Sequence, residues 1–109
     1  MCDLLVALGE ATSTGATIFA KNSDRPPTES QLIEVVESRH ERTTRATYLE
    51  IPGSDGPTLR CVVSRPTWSW GAEHGVNEAG VAIGNATIYT TLDPRPFPDA
   101  LTGMDLVRL

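Results

Sequence analysis

Lysine is all but missing from this chain: Lys21 is the only one, beside eight arginines and fourteen carboxylates, and the net charge is −5. A protein that follows nucleic acid or an anionic membrane surface needs a basic stripe, and scattered arginines under a net negative charge do not make one. Long apolar runs are missing too; nothing approaches the ~20 residues that span a bilayer. Asp3 interrupts the N-terminus and no basic segment precedes it, so no export signal is read. Cysteine occurs only as Cys2 and Cys61; without export, both read as reduced thiols in a cytoplasmic compartment. His40 and His74 stand alone, and no spacing fits zinc. A Gly-x-Ser-x-Gly nucleophile elbow, a phosphate loop and a dinucleotide fingerprint are all absent. No metal and no cofactor is expected.

What remains fits one globular domain spanning residues 1–109, with 39% apolar residues to form a modest core. Leu4 to Gly9 is a short apolar run with the length of a buried strand. Thr12-Ser13-Thr14-Gly15 supplies a turn, and Ala16 to Lys21 reads as the returning strand of a hairpin. Such a hairpin brings Lys21 to Asp24 back towards Cys2. Pro26 and Pro27 stop the second strand, because proline fixes φ and lacks a donor. Leu32–Glu37, Thr47–Ile51, Leu59–Ser64 and Val81–Tyr89 follow as strands, with His40–Arg45 a polar connector and Pro52–Pro57 a turn-rich one. Strands therefore fill about residues 3–90, in meander order. Asp93–Pro98 is a proline-stiffened linker, and from about residue 99 an amphipathic helix begins, with Leu101, Met104 and Leu106 to Leu109 apolar except for Arg108. That helix runs to residue 109 without a cap or breaker, so the chain reads as the N-terminal part of a longer protein. The fold class expected is α+β with antiparallel sheets.

The chemistry centres on the second residue. Cys2 follows the initiator methionine and is small enough for Met1 to be removed. Removal leaves one residue with both a thiol and a free α-amine, whose ordinary pKa of about 7.7–8.0 suits a general base at working pH. The thiolate is the reactive form of cysteine, and a nearby cation favours it. Cys2 also reads simply as the first residue of a buried strand. Across the hairpin, Asp24 is placed to orient the amine or thiol, and Lys21 to add positive potential and bind a carbonyl or carboxylate; Asn-Ser-Asp before proline is also an ordinary turn. Asn85, beside Gly84 on the last strand, is a candidate oxyanion donor, a role worth about 2.7–4 kcal/mol where one such donor has been removed. It also reads as a hydrogen-bonded Asn at a bulge. Trp68 and Trp70, two apart on an extended chain, share a face and form either packing or a substrate wall. Cys61 lies inside an apolar strand and reads as an inert buried thiol.

Three blocks in the same order carry a resemblance. Met1-Cys2-Asp3 with Leu5-Val6-Ala7, then Phe19-Ala20-Lys21-Asn22-Ser23-Asp24-Arg25-Pro26, then Ser64-Arg65-Pro66-x-Trp68-x-Trp70-Gly71-Ala72-Glu73 running on to Asn77-Glu78-x-Gly80-Val81-x-Ile83-Gly84-Asn85, resemble the opening of secernins and the related dipeptidase-A-type cysteine peptidases. These belong to the N-terminal-nucleophile hydrolase superfamily. The resemblance implies the N-terminal part of a four-layer αββα sandwich of antiparallel sheets. It implies Cys2 as nucleophile with its own α-amine as base, Asp24 as the orienting acid and Asn85 as the oxyanion-hole residue. Lys21 falls where acylase relatives carry arginine, and further Asn and Arg residues of the relatives' site lie beyond position 109. The activity implied is that of a thiol protease acting on dipeptides or other small amides. The alternative is a non-enzymatic secernin-like scaffold acting through a protein partner in regulated secretion.

Overall fold

The computed structural model describes residues 1–92 and 100–109. The first strand, β1 (Cys2–Ala7), pairs antiparallel with β2 (Ile18–Ser23) as a two-stranded ribbon. A short 3-10 turn over Gly9–Ala11 ends β1, and Gly15 takes a positive φ of 74° before the chain returns. The hairpin expected from the sequence is therefore present, but both strands are displaced: the 3-10 turn cuts β1 short, and β2 stays paired as far as Ser23.

The main sheet consists of β3 (Gln31–Val36), β6 (Cys61–Pro66), β7 (His74–Asn77) and β8 (Ala82–Gly84), in that spatial order and antiparallel throughout. Between β3 and β6 the chain makes a separate arm of β4 (Thr43–Arg45) and β5 (Glu50–Pro52). The order is thus a meander only from β6 to β8, because β3 skips the arm and pairs with β6. Two stretches expected as connector or unassigned are strands. Thr43–Arg45 lies within the polar connector, and His74–Asn77 is held between β6 and β8 despite Gly75. Thr47 is not in a strand; it bonds Asp105 through both its amide and its hydroxyl.

The helix α1 (Gly103–Arg108) is shorter than the amphipathic pattern indicated. Thr102 caps it, with the Thr102 hydroxyl accepting from the Asp105 amide and the Asp105 side chain accepting from the Thr102 amide, a reciprocal box. Met104 and Asp105 face inward, and α1 packs against β7 and β8. The expected linker 93–98 lies outside the described residues.

Paired residues of an antiparallel ladder project to the same face. Ile33, Ser64, His74 and Gly84 form one row across the main sheet, and Val35, Val62, Val76 and Ala82 the next. The ribbon lies on this face: a Cβ on Gly84 would stand 2.7 Å from Leu4 Cδ2 and 2.8 Å from Phe19 Cζ. Val63, Gly75 and Ile83 look the other way, towards Val107 of the helix. The layers are helix, four-stranded sheet and two-stranded ribbon, an α+β arrangement of mostly antiparallel sheets with one short helix. Among the described residues the buried apolar ones are few (Ala46, Val63, Ala72 and Met104), while Ile33, Leu5 and Val6 on the strands stay largely exposed. No helix among the described residues is long and apolar enough to cross a membrane.

Candidate functional site

The site grows from the register of the ribbon. Cys2 stands opposite Ser23, Asp3 opposite Asn22 and Leu4 opposite Lys21. One step further out, the Met1 α-amine reaches the Asp24 carboxylate at 2.8 Å. That hydrogen bond holds the amine above its ordinary 8.0 and the Asp24 carboxyl below its ordinary 3.8. Both groups are solvent-facing, so the pair orients the chain start more than it stabilises the fold.

Strand alternation puts Cys2, Leu4, Lys21 and Ser23 on the ribbon face that meets the main sheet, as the contact of Leu4 and Lys21 with Gly84 requires. The Lys21 ammonium donates to Ser23 Oγ at 2.7 Å and to Glu73 Oε2 at 3.1 Å. Neither Lys21 nor Glu73 exposes its side chain. Glu73 sits at the bend before β7, tied by its amide to the Ser64 carbonyl and by its carbonyl to the Asn85 amide. Its second oxygen, Oε1, is buried without a hydrogen-bond partner, 3.6 Å from Arg25 Nε.

Arg25 is held chiefly by Glu29, to which Nε and Nη2 donate at 2.6 and 2.8 Å, and this contact raises the guanidinium above its ordinary value. Arg25 also feels the charge of Glu73. The Trp68 indole donates to Glu29 Oε2 at 3.0 Å, and its ring lies 5.8 Å beneath the Arg25 guanidinium. With donors on several sides, the Glu29 carboxyl falls to about 2. His74 completes the cluster. Its ring lies 6.4 Å from that of Phe19, and Nδ1 is buried without a partner. Burial first, and then the Lys21 charge, push the imidazole below its usual value, so it is neutral at pH 7. A cleft of about 430 Å³ opens between ribbon and sheet beside it, lined by Thr17, Phe19, Ile33, Val62 and Ala82. A second cavity, about 390 Å³, lies on the helix side among Cys61, Trp70 and Val107, away from the chain start.

The residues expected at the site divide. Cys2, Lys21 and Asp24 gather at one end of the ribbon, and Trp68 is linked to them through Arg25. Trp70 is not. Thr67 and Trp68 form a turn closed by the Ser69 amide on the Pro66 carbonyl, so the two indoles do not share a face. Trp70 lies instead under Arg108, at 4.6 Å, on the helix side. Asn85 comes directly after β8, with its side-chain oxygen against Gly103 and not towards the chain start. Cys61 is half-buried, and burial pushes its thiol up. Glu73, Arg25, Glu29 and Ser23 were not singled out from the sequence; the sole lysine, which requires a counter-charge if buried, was the one signal pointing to such a partner.

No family model matches the chain. No solved structure matches it either.

Proposed function

We propose that this chain carries the nucleophile of a cysteine amidohydrolase, a dipeptidase in particular, in the N-terminal part of a four-layer αββα sandwich. The observation that carries the reading is the placement of the chain start: the α-amine is bonded to Asp24, and the adjacent Cys2 stands opposite Ser23, whose hydroxyl the Lys21 ammonium contacts. The preference for dipeptides rests on the resemblance of the three sequence blocks.

While Met1 is present, the nitrogen of Cys2 is a peptide amide and accepts no proton. Loss of Met1 turns it into an amine one residue along the strand from the nitrogen that now meets Asp24. The thiol proton passes to this amine, and the thiolate attacks the scissile carbonyl. A backbone N–H holds the oxyanion; the resemblance assigns the second donor to the Asn85 amide, which in this structure is turned towards Gly103. The α-ammonium returns its proton to the leaving amine, an acyl-enzyme forms on Cys2, and water activated by the same amine releases the acid. Trp68, half exposed, lines the substrate's approach, while Lys21, its ammonium buried against Ser23 and Glu73, supplies positive potential and touches no substrate.

The test uses the full chain after processing. 2-Cyanobenzothiazole condenses with a cysteine that carries a free α-amine, so it is expected to label the N-terminal peptide, and Cys2→Ser is expected to lose nearly all hydrolysis across a dipeptide panel. Unchanged turnover in Cys2→Ser rules the mechanism out. Labelling without turnover in the parent chain points to the non-enzymatic scaffold instead.

A further inference from the structure

Ser23 is the residue that stands directly across from the proposed nucleophile. In an antiparallel pair, directly opposed side chains share a face with Cβ atoms about 4.5–5.5 Å apart, near enough for a hydroxyl and a thiol to meet by rotation about χ1. The hydroxyl of Ser23 is already polarised, because its oxygen accepts from the Lys21 ammonium at 2.7 Å. A hydroxyl that accepts from a cation has its hydrogen turned away from that cation, and it donates more strongly for being polarised. Among the described residues this hydrogen has no acceptor. Lys21 in turn is fixed: its side chain is withdrawn from solvent, and its second bond, to Glu73 Oε2, ties it to the main sheet.

We propose that Ser23 is a further catalytic residue, donating its hydroxyl hydrogen to the Cys2 thiolate, and that Glu73 is the positioning residue that holds Lys21 against Ser23. The proposal rests on Cys2 being the nucleophile. When the thiol S–H bond breaks, its proton goes to the α-amine nitrogen; Ser23 keeps its own proton and offers it only as a hydrogen bond to the negative sulfur. The chain Glu73–Lys21–Ser23–Cys2 thus runs from a buried carboxylate on the sheet to the reacting atom. In the chain that still carries Met1, the thiol is not bonded to Ser23, and the contact forms as the sulfur becomes charged.

The experiment measures alkylation of Cys2 by iodoacetamide in the processed full chain, read on the N-terminal peptide so that Cys61 does not contribute. A hydrogen bond to a charged acceptor is strong enough that Ser23→Ala is expected to slow alkylation about tenfold at pH 7. At pH 9.5, above the ordinary cysteine value of about 8.5, the same variant is expected to match the parent. Ser23→Thr, which keeps the hydroxyl, is expected to restore the rate at pH 7, and Glu73→Gln to fall between parent and Ser23→Ala. A parent-like rate for Ser23→Ala at pH 7 overturns the proposal, as does equal slowing at both pH values. Alkylation needs no turnover. A processed parent chain that hydrolyses no amide therefore defeats the hydrolase reading, while the alkylation ratio independently decides the role of Ser23.

Discussion

The Lys21 ammonium and the Glu73 carboxylate meet at 3.1 Å with both side chains withdrawn from solvent, and they join the N-terminal ribbon to the bend that leads into β7. Two buried charges lose much hydration on folding, and their attraction offsets this only while both are present. Removing one partner leaves the other buried and unpaired. Glu73→Leu alone is therefore expected to destabilise the fold by about 3–5 kcal/mol, while the double replacement Lys21→Met with Glu73→Leu costs clearly less than the sum of the single changes. Denaturant titration of the four chains checks this, and additive losses would show that the two charges are not coupled.

Two glycines separate a soft contact from a hard one. A Cβ on Gly84 meets the side-chain ends of Leu4 and Phe19, at 2.7 and 2.8 Å, and both can rotate away. A Cβ on Gly71 runs into the backbone of Met104 and Asp105, where the Ala72 amide donates to the Met104 carbonyl. Gly84→Ala is expected to cost about 1–3 kcal/mol through overpacking and Gly71→Ala more, since helix and bend must part. Thermal unfolding of the two variants orders them, and the reverse order contradicts the docking of α1 described above.

The ribbon was legible because two apolar runs flank a Thr-Ser-Thr-Gly turn, and Gly15 does take the positive φ that such a turn uses. The ends of its strands were less so, since pairing through Ser23 depends on the register and not on apolar pattern. The strand β4 was hidden for the same reason: Thr43–Arg45 is polar, and only its partner β5 makes it a strand. His74–Asn77 carries Gly75 and is extended because it lies between β6 and β8. The helix start was readable in principle from Thr102 and Asp105, a cap and its reciprocal acceptor three residues on. Glu73 was not readable as a buried partner, because nothing near it in sequence reports that Lys21, 52 residues away, will be its counter-charge. The division of Trp68 from Trp70 follows from a turn at Thr67-Trp68 that alternation alone does not reveal.

The bond between the chain start and Asp24 gives a pH signature at the alkaline end. The folded amine lies above 8.0 because the Asp24 carboxylate accepts a hydrogen bond from the ammonium, so the contact is fully present below 8.0 and is lost as pH rises through the elevated folded value. In Asp24→Asn the Met1-bearing amine is expected to titrate lower, back towards 8.0, and to acetylate faster near neutral pH. An unchanged acetylation profile would mean that the chain start does not rest on Asp24.

Glu29 sets the acid limit of the cluster beside Cys2. Its carboxyl is lowered from 4.5 to about 2, first by the hydrogen bonds from Arg25 and then by the one from the Trp68 indole, with burial opposing them. A depressed carboxyl stabilises the fold fully above its unfolded value, and the contribution is lost as pH falls from 4.5 to about 2. Trp68 reports this directly, because its N–H donates to the same carboxylate. In a Trp70→Phe background, which leaves an aromatic ring under Arg108 and only Trp68 to emit, fluorescence is expected to hold steady from neutral pH through 4.5 and to change only towards about 2. Glu29→Gln in that background is expected to abolish the transition and flatten the dependence of stability on pH over the same window. A fluorescence change centred near 4.5 would instead show a carboxyl that titrates as in the unfolded chain, and Arg25 would then be free of Glu29 at the entrance to the site.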